Sequence, residues 1–322
     1  MQQLYQMLRQ TSRTFALSIE QLPRILRDAG TVAYLLLRVS DCLEDHDSLP
    51  VPRKIELLYI WAEVLAGASA VKSLTTRIAG LDGSDPEVNV AQNAGLLLQQ
   101  LHTLPPELQE IITRRARETT LGMARWQAHG PYVEDEAALD DYMHEVAGRV
   151  GYLLTELFAW YVPAIARVKD ELMPLARESG LALQTVNIIR GLRKDYERGW
   201  VFVPRTFYES VGLTRDSLFD PANLDRAMQV VALLANKADR HLQSSLRYVV
   251  TFPRRYHRIR LAAAWPFLLA VKTLAVSRDN VNVLLAEAKI TRNQVKEILL
   301  YTKLFGWSNH WLRWYYNSLA RG

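Results

Sequence analysis

Three carboxylates stand together in Asp41-Cys-Leu-Glu44-Asp45, at the end of the apolar run AYLLLRVSDCLED. Their i, i+3, i+4 spacing puts them on one face of a helix. Carboxylates that close repel one another unless a cation faces them, and a helix C-terminus adds its own negative dipole. Mg²⁺ suits such a stripe, because it takes oxygen ligands and commonly bridges one or two carboxylates to substrate phosphates. Arg38 lies one turn before Asp41, and Tyr34 a turn before that. A solvated acidic helix end is the alternative reading of this stretch alone.

A second stripe runs through Asn187, Gly191 and Asp195, at i, i+4, i+8, with Arg190 beside it. Asparagine and aspartate offer oxygen to a hard cation, and arginine can hold a phosphate oxygen. The same residues also read as a buried amide and a surface ion pair of Asp195 with Arg193 or Lys194. Two such stripes facing each other across a helical bundle would make a pocket for a diphosphate leaving group. Apolar walls would then shield the allylic cation left behind.

The elements that must carry these stripes are helices. Apolar residues recur at three- and four-residue spacing, as in Ile55, Leu58, Ile60, Trp61, Val64 and Leu65, and strand-like alternation is scarce. Prolines at 23, 50, 105, 106, 163, 174, 204, 221 and 253 mark helix ends. Loops are expected at His46–Pro52, Gly80–Pro86, Ala128–Glu134 and Pro204–Pro221, none of them an interdomain linker. The expectation is a single all-α domain over residues 1–322, with about a dozen helices.

Composition narrows the class. Apolar residues make up 49% and charged residues 23%, as in an ordered globular protein. The net charge of +5 suits an anionic substrate or an acidic membrane surface without requiring either. No Lys/Arg run is interleaved with aromatics, which argues against a nucleic-acid partner. A single cysteine, Cys42, excludes an intramolecular disulfide framework and a cysteine-based zinc site. The N-terminus, MQQLYQMLRQTSR, lacks the apolar core of a signal peptide. The longest clean apolar run, Leu261 to Val271, holds 11 residues, short of a span. A cytoplasmic protein without a transmembrane anchor is expected.

Several ordered motifs resemble those of the squalene/phytoene synthase family, and its squalene synthase branch in particular. They are Thr11-Ser12-Arg13-Thr14-Phe15, Tyr34 to Asp45, Tyr142-Met-His144-Glu-Val-Ala147-Gly148-Arg-Val-Gly151, Gln184 to Asp195, and Phe202-Val-Pro204. Weaker echoes follow at Ala264-Trp-Pro266 and Ala288-Lys289-Ile290. The resemblance implies a class I terpenoid synthase-like helical bundle around a central prenyl-binding cavity. It also implies Mg²⁺-dependent (or Mn²⁺-dependent) head-to-head condensation of two farnesyl diphosphates. The product would be squalene or a related C30 compound, formed through presqualene diphosphate.

Carried over by residue, the resemblance makes Asp41, Glu44, Asp45, Asn187 and Asp195 metal ligands. Ser12, Arg13, Arg38, Asn187 and Arg190 would hold diphosphate oxygens. Tyr142, with Arg38 and Tyr34, would serve the reaction centre, and Lys289 with Arg292 resembles a basic NADPH segment. Ala147, Gly148 and Gly151 match a stretch that gives prenyl chains room, although close helix packing reads equally well; His144, in the same stretch, reads as a packing residue. The C-terminal Trp307, Trp311, Trp314, Tyr315 and Tyr316, with Arg313 and Arg321, suit peripheral contact with a lipid surface. A terminal helix docked on the core is the other reading.

Two positions depart from the family pattern. Gly191 stands where its second motif has aspartate, and Trp200 where an arginine is expected. They favour a rival activity, ionisation of one prenyl diphosphate followed by water capture or cyclisation. A catalytically inactive partner subunit is a further rival, opposed by the complete first motif. The Asn187-x₃-Gly191-x₃-Asp195 spacing also matches the Asn-Ser-Glu-type metal motif of class I terpene synthases, in which a water can stand in at the middle position.

Overall fold

The computed structural model of the protein describes residues 1–321, apart from the Arg13 side chain. Eighteen α-helices and no strand occur among the described residues. In chain order they are α1 Gln2–Thr11, α2 Arg13–Glu20, α3 Arg24–Asp45, α4 Val51–Leu65, α5 Lys72–Thr75, α6 Pro86–Gln92, α7 Ala94–Leu101, α8 Pro106–His129 and α9 Glu136–Met143. A π-helical turn at His144–Gly148 leads into α10 Arg149–Tyr161. There follow α11 Pro163–Ala166, α12 Lys169–Glu197, α13 Arg205–Ser210, α14 Leu224–Thr251, α15 His257–Ser277, α16 Asn282–Leu285, α17 Arg292–Phe305 and α18 Asn309–Ala320.

The sequence predicts fewer helices because single-turn elements such as α5, α11 and α16 are too short to show a period. The expected loop 204–221 contains α13 and a 3₁₀ turn at Ser217–Phe219. Pro174 lies inside α12 instead of ending a helix. It sits five residues past the start, where its missing N–H removes only one hydrogen bond.

Packing divides the chain into two compact units, residues 1–130 with 152–169, and residues 131–151 with 170–322. In the first unit α4 and α3 both pack on α8. Trp61 is fully buried there, and a Ser40–Thr120 hydroxyl pair at 2.7 Å lets α3 and α8 approach without stranding a polar atom. Glu156 of α10 is tied to α8 by a bidentate pair with Arg115, both contacts at 2.9 Å.

In the second unit α14, α15, α17 and α18 form the main stack. Arg260 is fully buried in it and donates to the carbonyls of Gly306 (2.8 Å) and Phe252 (2.7 Å), and also to Asn309. The ends of α14 and α17 and the start of α18 thus meet on one guanidinium, which satisfies carbonyls that helix ends leave open. By length and composition α15 could cross a membrane, but two-thirds of its apolar window is buried inside the fold.

Candidate active site

The first carboxylate stripe lies on the last turns of α3. Asp41 Oδ2 forms an ion pair with Arg38 Nη1 at 3.2 Å, and the same nitrogen donates to Glu87 Oε1, also at 3.2 Å. Arg38 Nη2 donates to the Tyr34 hydroxyl at 2.8 Å, and its guanidinium lies over that ring at 5.2 Å. Burial works against the Arg38 charge, but Asp41, Tyr34 and Glu87 outweigh it and raise its pKa. The expected Tyr34–Arg38–Asp41 stripe is therefore one connected side-chain network.

The three carboxylates do not converge on a single point. Asp45 is exposed, whereas Glu44 is buried, accepts from Gln127 and faces Lys54. Position i+3 rotates Glu44 toward the contacts with α4 and α8, while i and i+4 stay at the rim. Among the described residues no three acidic, imidazole or thiol groups form a ready cation cage. The charge balance nonetheless fits a cation. Burial, with Asp45 and Glu87 against the opposing pull of Arg38, lifts the Asp41 pKa to about 6. Glu44 is likewise pushed well above the usual range, first by burial and then by Asp45 and Asp41. Two rim carboxylates completed by substrate phosphates are a normal Mg²⁺ environment.

Glu87 is a residue that sequence reasoning missed. It sits in the first turn of α6, which Asp85 caps by accepting from the Glu87 N–H at 2.7 Å. The Asp85-Pro86-Glu87 helix start is legible, but nothing in the sequence aims it at Arg38, 49 residues away.

Ser12 has a structural task, as N-cap of α2, accepting from the Phe15 N–H at 3.1 Å. Phe15 in turn leans on Tyr34, with ring centroids 6.0 Å apart. The side chain of Arg13, also expected to bind diphosphate, lies outside the described residues.

In the second unit, Asn187 and Arg190 are exposed on α12, with Gly191 and Asp195 partly covered. A Cβ at Gly191 would stand 3.3 Å from Asp195 Oδ2, so the Asp195 carboxylate leans back over the glycine. Arg190 pairs with Glu287 at 3.5 Å, and Glu287 pairs with Lys289 at 2.5 Å. The sequence treats Arg190 and Lys289 as members of two separate sites; here one glutamate links them. Arg292 is exposed as the first residue of α17, within the Thr291–Gln294 capping box.

Trp200 stacks on Phe202 (5.3 Å), and Phe202 stacks on Tyr142 (4.4 Å). The tryptophan that replaces the expected arginine is thus the outer member of an aromatic column ending on the buried Tyr142. Ala147, Gly148 and Gly151 serve close packing. A Cβ on Gly151 would lie 2.2 Å from the Ala176 carbonyl oxygen, and one on Gly180 would lie 2.4 Å from that of Ala147. His144 packs there too, its Nδ1 2.6 Å from where a Gly148 Cβ would stand.

Among the described residues the fold is all-helical, the class to which the solved squalene and dehydrosqualene synthase structures belong. The chain belongs to the squalene/phytoene synthase family, whose model matches residues 8–294. It is 28% identical over 307 residues to squalene synthase of Schizosaccharomyces pombe, covering 92% of this chain and 64% of that protein. It is 29% identical over 310 residues to lycopaoctaene synthase of Botryococcus braunii, covering 92% and 65%. Both relatives are longer, and the chain spans slightly less than two-thirds of each. Among solved structures it is similar to TcSQS in complex with the ligand E5700, with a TM-score of 0.86 and 28% identity over 99% of this chain and 90% of that one.

Proposed function

We propose that the protein condenses two farnesyl diphosphates head to head, through presqualene diphosphate, to squalene or a related C30 hydrocarbon. The observation that carries this reading is the Tyr34–Arg38–Asp41 network with Asp45 at the rim of α3, in a chain of this family. Asp41 and Asp45 are proposed Mg²⁺ ligands on the first unit, and Asn187 and Asp195 are proposed, on their own, as Mg²⁺ ligands on the second. Mg²⁺ held there would supply Lewis acidity toward the departing diphosphate. Arg38, already positive and half-buried, would exchange its Glu87 contact for a phosphate oxygen. The Tyr142–Phe202–Trp200 column offers aromatic faces, which stabilise a nearby carbocation by their quadrupoles. Lys289 and Arg292 are exposed cations of the kind that hold the phosphates of NADPH, which would supply the reducing hydride. A cytoplasmic location with peripheral membrane contact belongs to the same reading.

A second reading rests on Gly191 and Trp200. The carboxylate missing at one and the guanidinium missing at the other favour ionisation of a single prenyl diphosphate with water capture or cyclisation. Incubating the protein with farnesyl diphosphate and Mg²⁺, with and without NADPH, separates the two. A C30 product supports condensation; farnesol or a cyclised C15 product alone overturns it.

A further inference from the structure

The second unit carries a cleft of about 700 Å³ lined by α12, α14 and α18, within the ~300–1,000 Å³ typical of small-molecule sites. On α12 the lining residues include Glu171, Leu175 and Glu178, spaced i, i+4, i+7 along one helix face. Ser244 and Arg247 line it from α14, and Arg313 from α18. The α18 wall is held to the fold, since Leu312 and Tyr315 are buried and Tyr316 stacks on Phe267 of α15 at 5.7 Å. Charge around the cleft is not matched. Glu178 is already paired with His241 (2.6 Å) and Arg177 (3.0 Å). Among the described residues Glu171, Arg247 and Arg313 form no ion pair, although all three line the same space. The unpaired charge is therefore two guanidiniums against one carboxylate. Residues 241–278 and 298–322 contain no aspartate or glutamate, so the end of α14, α15 and α18 offer the arginines no acid of their own. Close by, the fully buried Arg260 bonds carbonyls instead of a carboxylate, and after burial itself Arg254 and Arg313 lower its pKa.

We propose that this cleft binds a phosphate ester of a hydroxylated small molecule, with Arg247 and Arg313 on the phosphate and Glu171 on the hydroxyls. Guanidinium forks match phosphate oxygens in both charge and geometry. The Ser244 hydroxyl, half-buried and without a partner among the described residues, supplies one more donor. Glu171 repels a bare phosphate but accepts from hydroxyls, so it selects an ester that carries both groups over the inorganic ion. Pro174 and Leu175 of α12 and Val250 of α14 give the carbon skeleton an apolar wall. The inference does not depend on the chemistry proposed above.

Isothermal titration calorimetry of the full chain tests it, with glucose 6-phosphate, AMP, inorganic phosphate and glucose as probes. The first two distinguish a sugar phosphate from a nucleotide. One of them is expected to bind several-fold more tightly than inorganic phosphate, with no binding of glucose. Arg247→Gln/Arg313→Gln is expected to weaken that ester several-fold, and Glu171→Gln to remove the preference for ester over inorganic phosphate. Both should leave circular dichroism unchanged, because all three side chains are exposed. Arg190→Gln, on the candidate diphosphate site, is expected to bind the ester as the wild type does. Should the double variant misfold, Arg247→Gln alone decides. Binding of neither ester, inorganic phosphate bound as tightly as the esters, undiminished binding by the folded arginine variant, an ester preference that survives Glu171→Gln, or loss of binding in Arg190→Gln each overturns the proposal.

Discussion

Gly151 meets the backbone of Ala176 directly, for a Cβ at 151 would stand 2.2 Å from the Ala176 carbonyl oxygen. Gly180 returns the relationship against Ala147 at 2.4 Å. Neither obstacle is a flexible side chain, so an added methyl must push main chain aside. Gly151→Ala and Gly180→Ala are each expected to destabilise the protein by about 1–3 kcal/mol, the usual scale for overpacking. Gly80→Ala, with open space around it, is the control. Urea denaturation reads all three, and a Gly151→Ala midpoint equal to wild type would show that the segments separate easily.

Arg260 makes a complementary case, since it is a buried charge facing carbonyls instead of a carboxylate. Burial, helped by Arg254 and Arg313, lowers its pKa to about 10, which leaves it protonated at neutral pH. Arg260→Met would strand the carbonyls of Phe252 and Gly306. A buried acceptor left without a donor costs about 1–3 kcal/mol, so a loss of that order or larger is expected in chemical denaturation. Arg260→Lys should recover part of it. No loss in the methionine variant would mean that water reaches these helix ends.

The all-α class and the first carboxylate stripe are legible because both are local. Apolar spacing along α3 and α4 repeats every turn, and Tyr34, Arg38, Asp41 and Asp45 are fixed relative to one another by helical geometry alone. What stays hidden depends on a second element. Glu87 reaches Arg38 from another helix, Gln127 takes Glu44 out of the stripe, and Glu287 joins Arg190 to Lys289. In the sequence the glycine stretch reads equally as room or as contact, and the backbones of Ala176 and Ala147 decide for contact. Trp200 is legible as a departure from the family pattern, but its stacking on Phe202 exists only in three dimensions.

A pH-dependent contribution centres on His241, buried in the second unit. Its Nδ1 lies 2.6 Å from Glu178 and its Nε2 3.6 Å from Asp140. Burial disfavours its charge, but the contacts with Asp140 and Glu178 outweigh burial and raise its pKa. Glu178 is lowered chiefly by its hydrogen bond to His241. In Asp140, burial is outweighed by contacts with His241 and Lys237, and the pKa also falls. The histidine therefore contributes stability fully below its unfolded pKa and loses it as pH rises through the raised folded value. The two acids contribute above their unfolded pKa and lose it as pH falls. The Tm difference between wild type and His241→Gln is expected to peak between roughly pH 5 and 6.5 and to shrink on both sides. A difference that does not vary with pH would show that the histidine is neutral in the fold.

Asp45 tests the proposed metal set without disturbing the helix. It is exposed at the last position of α3, where aspartate and asparagine have similar helix propensity. Asp45→Asn is expected to cut product formation from farnesyl diphosphate about 100-fold, or ~2.7 kcal/mol of transition-state stabilisation, with unchanged circular dichroism. Chelation by EDTA should abolish turnover in the wild type. Full activity in either experiment removes the metal assignment.

Gly191 is where family pattern and sequence part, and the geometry sharpens the test. The Asp195 carboxylate leans over the glycine, with Oδ2 3.3 Å from where a Cβ would stand. Gly191→Asp would therefore place a second carboxylate beside the first, and like charges one turn apart repel. Glycine inside a helix costs roughly 1 kcal/mol against alanine, so the natural residue needs a local reason, and room for the Asp195 side chain is one. If water completes the coordination that Asn187 and Asp195 begin, the natural site holds its full metal set. C30 product per enzyme is then expected to stay level or fall in Gly191→Asp. If the natural site is short of a ligand, the new carboxylate should tighten Mg²⁺ binding and raise that product several-fold, equivalent to ~1 kcal/mol. Wild type and variant measured side by side with farnesyl diphosphate decide between them. A large rise in the variant would transfer the natural protein to the one-substrate reading, with Gly191 as the cause.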